Sequence, residues 1–156
     1  MKFDHGKIDF LEKTDVLETL ERGSIGHLGC FLADEVYVVP ITYVFENPYI
    51  YSHSKDGKKI SMMRKNPQVC IEVEEIYDMF AWRSAIAWGR YEELHGDEAA
   101  TAMRMLIKKI THQIANGKSS SLEMDFDALF EEAVIYRIHV SKLSGRFEGN
   151  LHALRP

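Results

Sequence analysis

The chain has little that would let it be classified at once. It holds two cysteines, Cys30 and Cys70, neither in a CxxC pair nor at a zinc-ligand spacing with histidine. That excludes a disulfide framework, makes both thiols candidates for buried strand positions and points to a reducing compartment. No apolar run approaches the length of a membrane span. The opening Met-Lys-Phe-Asp-His-Gly-Lys lacks the apolar core of a signal peptide, so a cytoplasmic protein is expected. Positive charge is in deficit, with 19 Lys and Arg against 24 Asp and Glu and a formal net charge of −5. A general nucleic-acid binder would be basic over a whole face, so that class is set aside. His95, His112, His139 and His152 are scattered without ligand spacing, and no metal site is expected. The chain also shows no Ser/His/Asp arrangement, no paired acidic motif and no nucleophile elbow.

What is present is an ordinary globular composition, 46% hydrophobic and 28% charged, and residues 1–156 are read as one domain with a proper core. Residues 12–22 form a short helix with Val16 and Leu20 one turn apart, ended by Gly23. The period then changes. Ile25–Leu32 suits a buried strand, and Ala33-Asp34-Glu35 a turn. Val36–Phe45 is a long β-branched and aromatic run closed by Glu46-Asn47-Pro48. Pro40 inside that run cannot donate to a ladder, so it marks an edge, a bulge or a backbone that faces a ligand. Val69, Ile71 and Val73 alternate with Cys70, Glu72 and Glu74. Ser84–Tyr91 is a further strand with Ser84, Ile86 and Trp88 on one side and a bend or bulge at Gly89. Residues 97–115 give the long helix, with Asp97 as N-cap, a stripe of Met103, Leu106, Ile107, Ile110 and Ile114, and Asn116-Gly117 as its stop. Residues 118–128 read as a lid, a dimer arm or a loop. Val134, Tyr136, Ile138 and Val140 alternate in the last strand. Six strands with one long helix and no βαβ alternation predict a mainly β fold, a six-stranded antiparallel barrel with the helix packed against it.

Residues 51–67 organise the reading. Strand residues Tyr49, Ile50 and Tyr51 run into Ser52, His53 and Ser54, then Gly57, Lys58 and Lys59, then a short helix that Pro67 ends. Five of the eleven residues from Lys55 to Lys65 are basic, against the sign of the whole chain. A helix N-terminus with free N–H groups, a glycine and first-turn lysines make an anion site, above all for phosphate. The alternative is a solvated basic turn between two strands.

These residues together resemble the FMN-binding split-barrel proteins related to pyridoxamine 5′-phosphate oxidase, in particular the branch that includes nitroimidazole-resistance proteins. The resemblance covers roughly residues 15–145. It rests on Gly-x-Leu-Gly at 26–29, on Val38-Val39-Pro40-Ile41-Thr42, on Tyr-Ser-His-Ser-Lys-Asp-Gly-Lys-Lys at 51–59 followed by Asn66-Pro67, and on the strand from Trp82-Arg83-Ser84 to Gly89-Arg90. It implies a homodimer with FMN in a cleft between two barrels. Lys58 and Lys59 would hold the phosphate with Ser54 beside them, while Ser52 and His53 line the flavin and the backbone of Val39, Pro40, Ile41 and Thr42 runs along the ring edge. Ser84 would reach FMN from the partner subunit. The tail from Ser144 to Pro156 departs from the Trp/Arg-bearing end of the authentic oxidases, which makes vitamin B6 oxidation an alternative reading and not the first.

A flavin brings its own redox reactivity, so the lack of a catalytic motif fits an enzyme of this kind. The reading is an FMN-dependent oxidoreductase that reduces a small electrophile, such as a nitroaromatic, with a nicotinamide donor, NAD(P)H. His53 is the candidate proton donor; a hydrogen-bonded structural histidine is its alternative. Trp82 and Trp88 read as core or interface aromatics. Two other classes compete: a flavin carrier or sensor without turnover, and a haem-handling relative on the same barrel, which would need an axial histidine beside a large apolar cleft.

Overall fold

In the computed structural model, which describes residues 6–117, 125, 128 and 130–150, eleven elements follow in chain order. They are β1 (Asp9–Phe10), α1 (Lys13–Arg22), β2 (Ile25–Leu32), β3 (Glu35–Thr42), β4 (Val44–Glu46), β5 (Tyr49–Ser54), α2 (Lys58–Lys65), β6 (Gln68–Asp78), β7 (Ala81–Glu93), α3 (Gly96–Ala115) and β8 (Val134–Glu148). The strands form one antiparallel sheet in the order β3-β2-β6-β7-β8-β5-β4, with β1 added to β8. The two end strands of that order, β3 and β4, are consecutive in the chain and meet at Tyr43. The sheet must therefore curl round on itself, which gives the barrel.

The barrel has eight strands where the sequence predicted six. The run 36–45 divides at Tyr43, whose side chain is buried with its hydroxyl donating to the Leu20 carbonyl at 2.7 Å. The two-residue β1 was not foreseen at all. The β2–β3 hairpin turns through Ala33 and Asp34, both at positive φ (49° and 62°), the backbone that a tight two-residue hairpin demands. The bulge expected at Gly89 is present, with the register against β8 shifting between Trp88 and Gly89. A Cβ at Gly89 would collide with the His139 carbonyl oxygen.

Alternation sends one set of side chains inward. Leu28, Ile71, Val73, Ala85, Ala87, Ile50 and Ile138 are fully buried, and Leu20 of α1 with Ile60 and Met63 of α2 join the same core. Helix α1 ends at Gly23 as expected, for a packing reason: Gly23 has φ −68°, and a Cβ there would strike the Tyr43 hydroxyl and Val73. An ion network around one buried arginine fixes the same helix. Arg83 of β7 is 1% exposed and donates to Glu75 at 2.6 Å, with Glu18 of α1 3.6 Å away. Arg22 of α1 reaches Glu75 at 3.1 Å.

Helix α3 packs elsewhere. Leu106 and Ala102 form a second cluster with Leu94, Phe130 and Ile135, against Val44 and Tyr51. Ile135 and Tyr51 alternate with the inward residues Tyr136 and Ile50, so α3 lies on the outside of β4, β5 and β8. Its N-cap is His95 and not Asp97, because Gly96 at φ +58° turns the chain one residue earlier and leaves Asp97 in the first turn. Ala102, outside the expected stripe, is fully buried, while Met103, Ile107, Ile110 and Ile114 are half-covered. Gly117 ends the helix in the left-handed region, φ +67°. The expectation for residues 118–128 lies largely outside the described residues. Among those described, no helix is long and apolar enough to cross a membrane.

Candidate functional site

The site starts where β5 hands over to α2. Ile60, Met62 and Met63 are buried and anchor the short helix, while the opposite face carries Lys58, Ser61, Arg64 and Lys65 into solvent. Asn66 ends it by donating to the Phe31 carbonyl at 2.7 Å and accepting from Gln68 N at 3.2 Å, which ties α2 to β2. Arg64 reaches back to Asp56 at 3.0 Å and across to Glu93 at 2.6 Å, so the loop before the helix is held from two sides. The first intrahelical bond runs from Ser61 N to Gly57 O at 2.9 Å. The N–H groups before it have no side-chain cap, and a Cβ at Gly57 would meet nothing within 4 Å. The helix start is therefore open and electropositive.

The two lysines part company here. Lys58 is exposed, pairs with Glu35 and lies over the Tyr37 ring, 4.7 Å from its centroid. Lys59 is half-buried and makes no hydrogen bond or ion pair among the described residues. Its charge reaches His53 and Cys30. His53 sits on the α3 side of β5, edge-on to Phe130 with ring centroids 4.9 Å apart. Burial, and then the Lys59 charge, hold its pKa below the ordinary imidazole value, so at neutral pH it is an uncharged ring. Phe130 was not anticipated as its neighbour, since nothing local to residues 51–59 points to it.

Other predicted residues divide by face. Ser52 is fully buried and donates to the Thr42 carbonyl at 2.6 Å, pinning the end of β3 to β5. The Ser54 hydroxyl donates to the Lys55 carbonyl at 2.7 Å, shaping the turn into α2. Val39 and Ile41 point inward, and Pro40 and Thr42 outward on an end strand of the sheet, a position that tolerates proline.

Ser84 lies apart from His53 and Lys59 within the chain, on the outside of β7. Its hydroxyl donates to Glu72 at 2.6 Å, and His27 Nδ1 stands 3.4 Å from the other Glu72 oxygen. Glu72 was legible only as a wet-face residue, because its link to Ser84 is a diagonal across the β6–β7 register. On this same outer face Ile25, Phe31, Val36, Val38 and Ile76 are 48–71% exposed. Of these, Phe31 and Val36 are register partners, and exposed apolar side chains of this kind are candidates for a docking surface.

Comparison with known proteins gives three kinds of likeness. Residues 12–147 match the family model described as pyridoxamine 5′-phosphate oxidase. An uncharacterised protein of Rhizobium meliloti, RA0666, is 39% identical over 72 residues, which cover 46% of this chain and 48% of that protein. Among solved structures, a protein of Mesorhizobium loti described as FAD-binding superposes with a TM-score of 0.72 at 28% identity, over 91% of this chain and 99% of the other. A candidate 5-nitroimidazole antibiotic resistance protein of Bacteroides thetaiotaomicron superposes with a TM-score of 0.67 at 20% identity, over 94% and 95% of the two chains. The fold is thus that of the split-barrel proteins foreseen from the sequence.

Proposed function

This chain belongs to the pyridoxamine 5′-phosphate oxidase family, and from that premise we propose that it is a cytoplasmic, homodimeric FMN-dependent oxidoreductase that reduces a small electrophile of the nitroaromatic class with a nicotinamide donor. The observation that carries the reading is Lys59. A half-buried ammonium beside an uncapped helix start, with no anion of its own among the described residues, is suited to a phosphate. The open space at Gly57 gives that phosphate room to approach the backbone. Lys58, engaged with Glu35, is the weaker of the two candidates.

Bound flavin supplies two-electron redox chemistry, which leaves the protein to bind, orient and exclude water. Lys59 and the first N–H groups of α2 hold the phosphate. The outer edge of β3 at Val39–Thr42, fixed from behind by Ser52, presents the backbone along which a ring would lie. His53, on the α3 side of β5, is the proposed proton donor. Uncharged at neutral pH, it offers one N–H and one acceptor nitrogen to a ligand. A phosphate on Lys59 would raise its pKa, which favours the proton-donating form once the cofactor is in place.

The exposed apolar outer face supports the homodimer, and on that reading Ser84, on the same face, would meet a ligand held by a second copy. Its O–H is already given to Glu72, so what Ser84 offers is an acceptor. The FAD-binding description of the Mesorhizobium loti protein supports a flavin. The choice of FMN rests on a helix start suited to a terminal phosphate.

Titration of FMN, FAD and riboflavin into the parent and Lys59→Ala, read by flavin fluorescence, tests this. A charge-assisted hydrogen bond to phosphate contributes about 1.5–3 kcal/mol, so FMN affinity should fall roughly ten- to a hundredfold while riboflavin is unaffected. Equal FMN binding by both proteins would remove Lys59 from the site. FAD binding tighter than FMN would assign the cofactor the other way. Turnover of a nitroaromatic with NAD(P)H separates an oxidoreductase from a flavin carrier.

A further inference from the structure

A cleft of about 600 Å³ lies between the C-terminal half of α3 and β4. Its volume is in the range of small-molecule sites. Val44, Met105 and Ala115 give it an apolar wall, and Lys108, Lys109, His112 and Glu46 stand around it. These groups are not equivalent. Lys108 and His112 are exposed, and the His112 ring is engaged by the Asn116 amide at 2.8 Å. Lys109 is half-buried. Its ammonium donates to the Gly23 carbonyl at the end of α1 and lies over the Tyr43 ring, 4.8 Å from the centroid. Among the described residues no carboxylate pairs with it.

We propose that this cleft binds a small apolar monocarboxylate, its carboxylate paired with the Lys109 ammonium and its hydrocarbon body laid against Val44, Met105 and Ala115. An ammonium has three donors; the Gly23 carbonyl takes one and the Tyr43 ring lies under the group, so one remains for a carboxylate. Glu46 at the rim disfavours a dianion, which selects against phosphates and dicarboxylates. The apolar wall disfavours small inorganic anions, because they would lose hydration without gaining contact. The inference stands apart from the flavin reading: it uses none of the residues assigned to the phosphate.

Desolvation pulls the Lys109 pKa down to about 8. The titratable groups around it are Lys108 and His112 on α3, Glu46 on β4, and Tyr43, which burial keeps protonated. At pH 8.5 part of the free amine is therefore neutral, and a carboxylate that pairs with the ammonium draws a proton onto that part. A solvated surface lysine would take up none.

The test uses 3-phenylpropionate, with 3-phenylpropan-1-ol as its uncharged control, titrated calorimetrically at pH 8.5 in two buffers of different ionisation enthalpy. The acid should bind about tenfold tighter than the alcohol or better, with net proton uptake. Lys109→Met should remove both the preference and the uptake. Ala115→Trp, at an exposed position that the fold does not need, should block the cleft to both ligands, and it decides the matter if Lys109→Met fails to fold. Lys108→Ala should change affinity by less than about twofold. The proposal is overturned if acid and alcohol bind alike, if no proton is taken up, if Ala115→Trp binds as the parent does, or if the acid is displaced by FMN.

Discussion

Helix α3 covers the outside of β4, β5 and β8, whereas no described helix packs over the outside of β3, β2, β6 and β7. Both faces carry apolar side chains. On the first, Val44, Tyr51 and Ile135 meet Leu106 and Ala102 and leave the solvent. On the second, Val36 and Val38 remain 71% and 59% exposed. One barrel thus has two apolar outer surfaces, and the described residues cover one of them. A β-sheet face of this kind is tolerable in water only at a standing cost of roughly 25 cal/mol per Å² of apolar area. The proposed homodimer would account for the difference, with a second copy laid over the bare face.

The comparison breaks first at Val38. Replacing it by Asp places an unpaired charge on the bare face, harmless in an isolated barrel because the position faces water. Buried between two copies, such a charge costs about 3–5 kcal/mol, so the dimer should weaken by roughly two to nearly four orders of magnitude. Sedimentation velocity would show monomers, and circular dichroism an unchanged fold. A Val38→Asp protein that stays dimeric would mean that another surface makes the contact.

On the covered face the expected effect has a different character. Leu106 is 2% exposed between α3 and the sheet, and Leu106→Ala should lower stability by about 2–5 kcal/mol through lost contact and a cavity. Association should persist wherever the protein is folded. Urea unfolding and sedimentation on the same sample distinguish the two faces. Loss of dimer at unchanged stability would reverse the assignment of which face is internal.

The sequence made the strands legible and left the faces ambiguous. Ile25–Leu32 reads as a strand buried on both sides, and its bounds match β2. Within one chain only Gly26, Leu28 and Cys30 face the core, while Ile25 and Phe31 are exposed. The pattern marks where apolar side chains stand and not what covers them, so periodicity cannot separate a core face from an exposed one. Arg83 escaped for the opposite reason. A charged residue in a strand reads as solvent-facing, yet it is fully buried because Glu75 and Glu18 arrive from β6 and α1. The helix start and its lysines were readable because glycine and local charge are sequence-local. That Lys58 is engaged by Glu35 was not, since 23 residues separate them. Ser84 and Glu72 likewise come together only through register.

The smallest effect concerns His53, on the covered side beside Lys59. Its pKa is lowered in the folded protein by burial and by the Lys59 charge. The unfolded chain therefore binds a proton at about pH 6.5, where the folded one does not. With more protons on the unfolded state, stability falls as the pH drops below that value. His53→Gln should flatten this part of the profile, and Lys59→Ala should flatten it partly, because burial remains. FMN should act with the opposite sign: its phosphate beside Lys59 supplies negative charge, raises the His53 pKa and makes FMN binding tighten as the solution becomes mildly acidic. Proton NMR titration of the His53 ring in free and FMN-loaded protein reads both states directly. A free-state value at or above the ordinary imidazole pKa would disprove the coupling to Lys59. A value that FMN leaves unchanged would place the phosphate away from the start of α2.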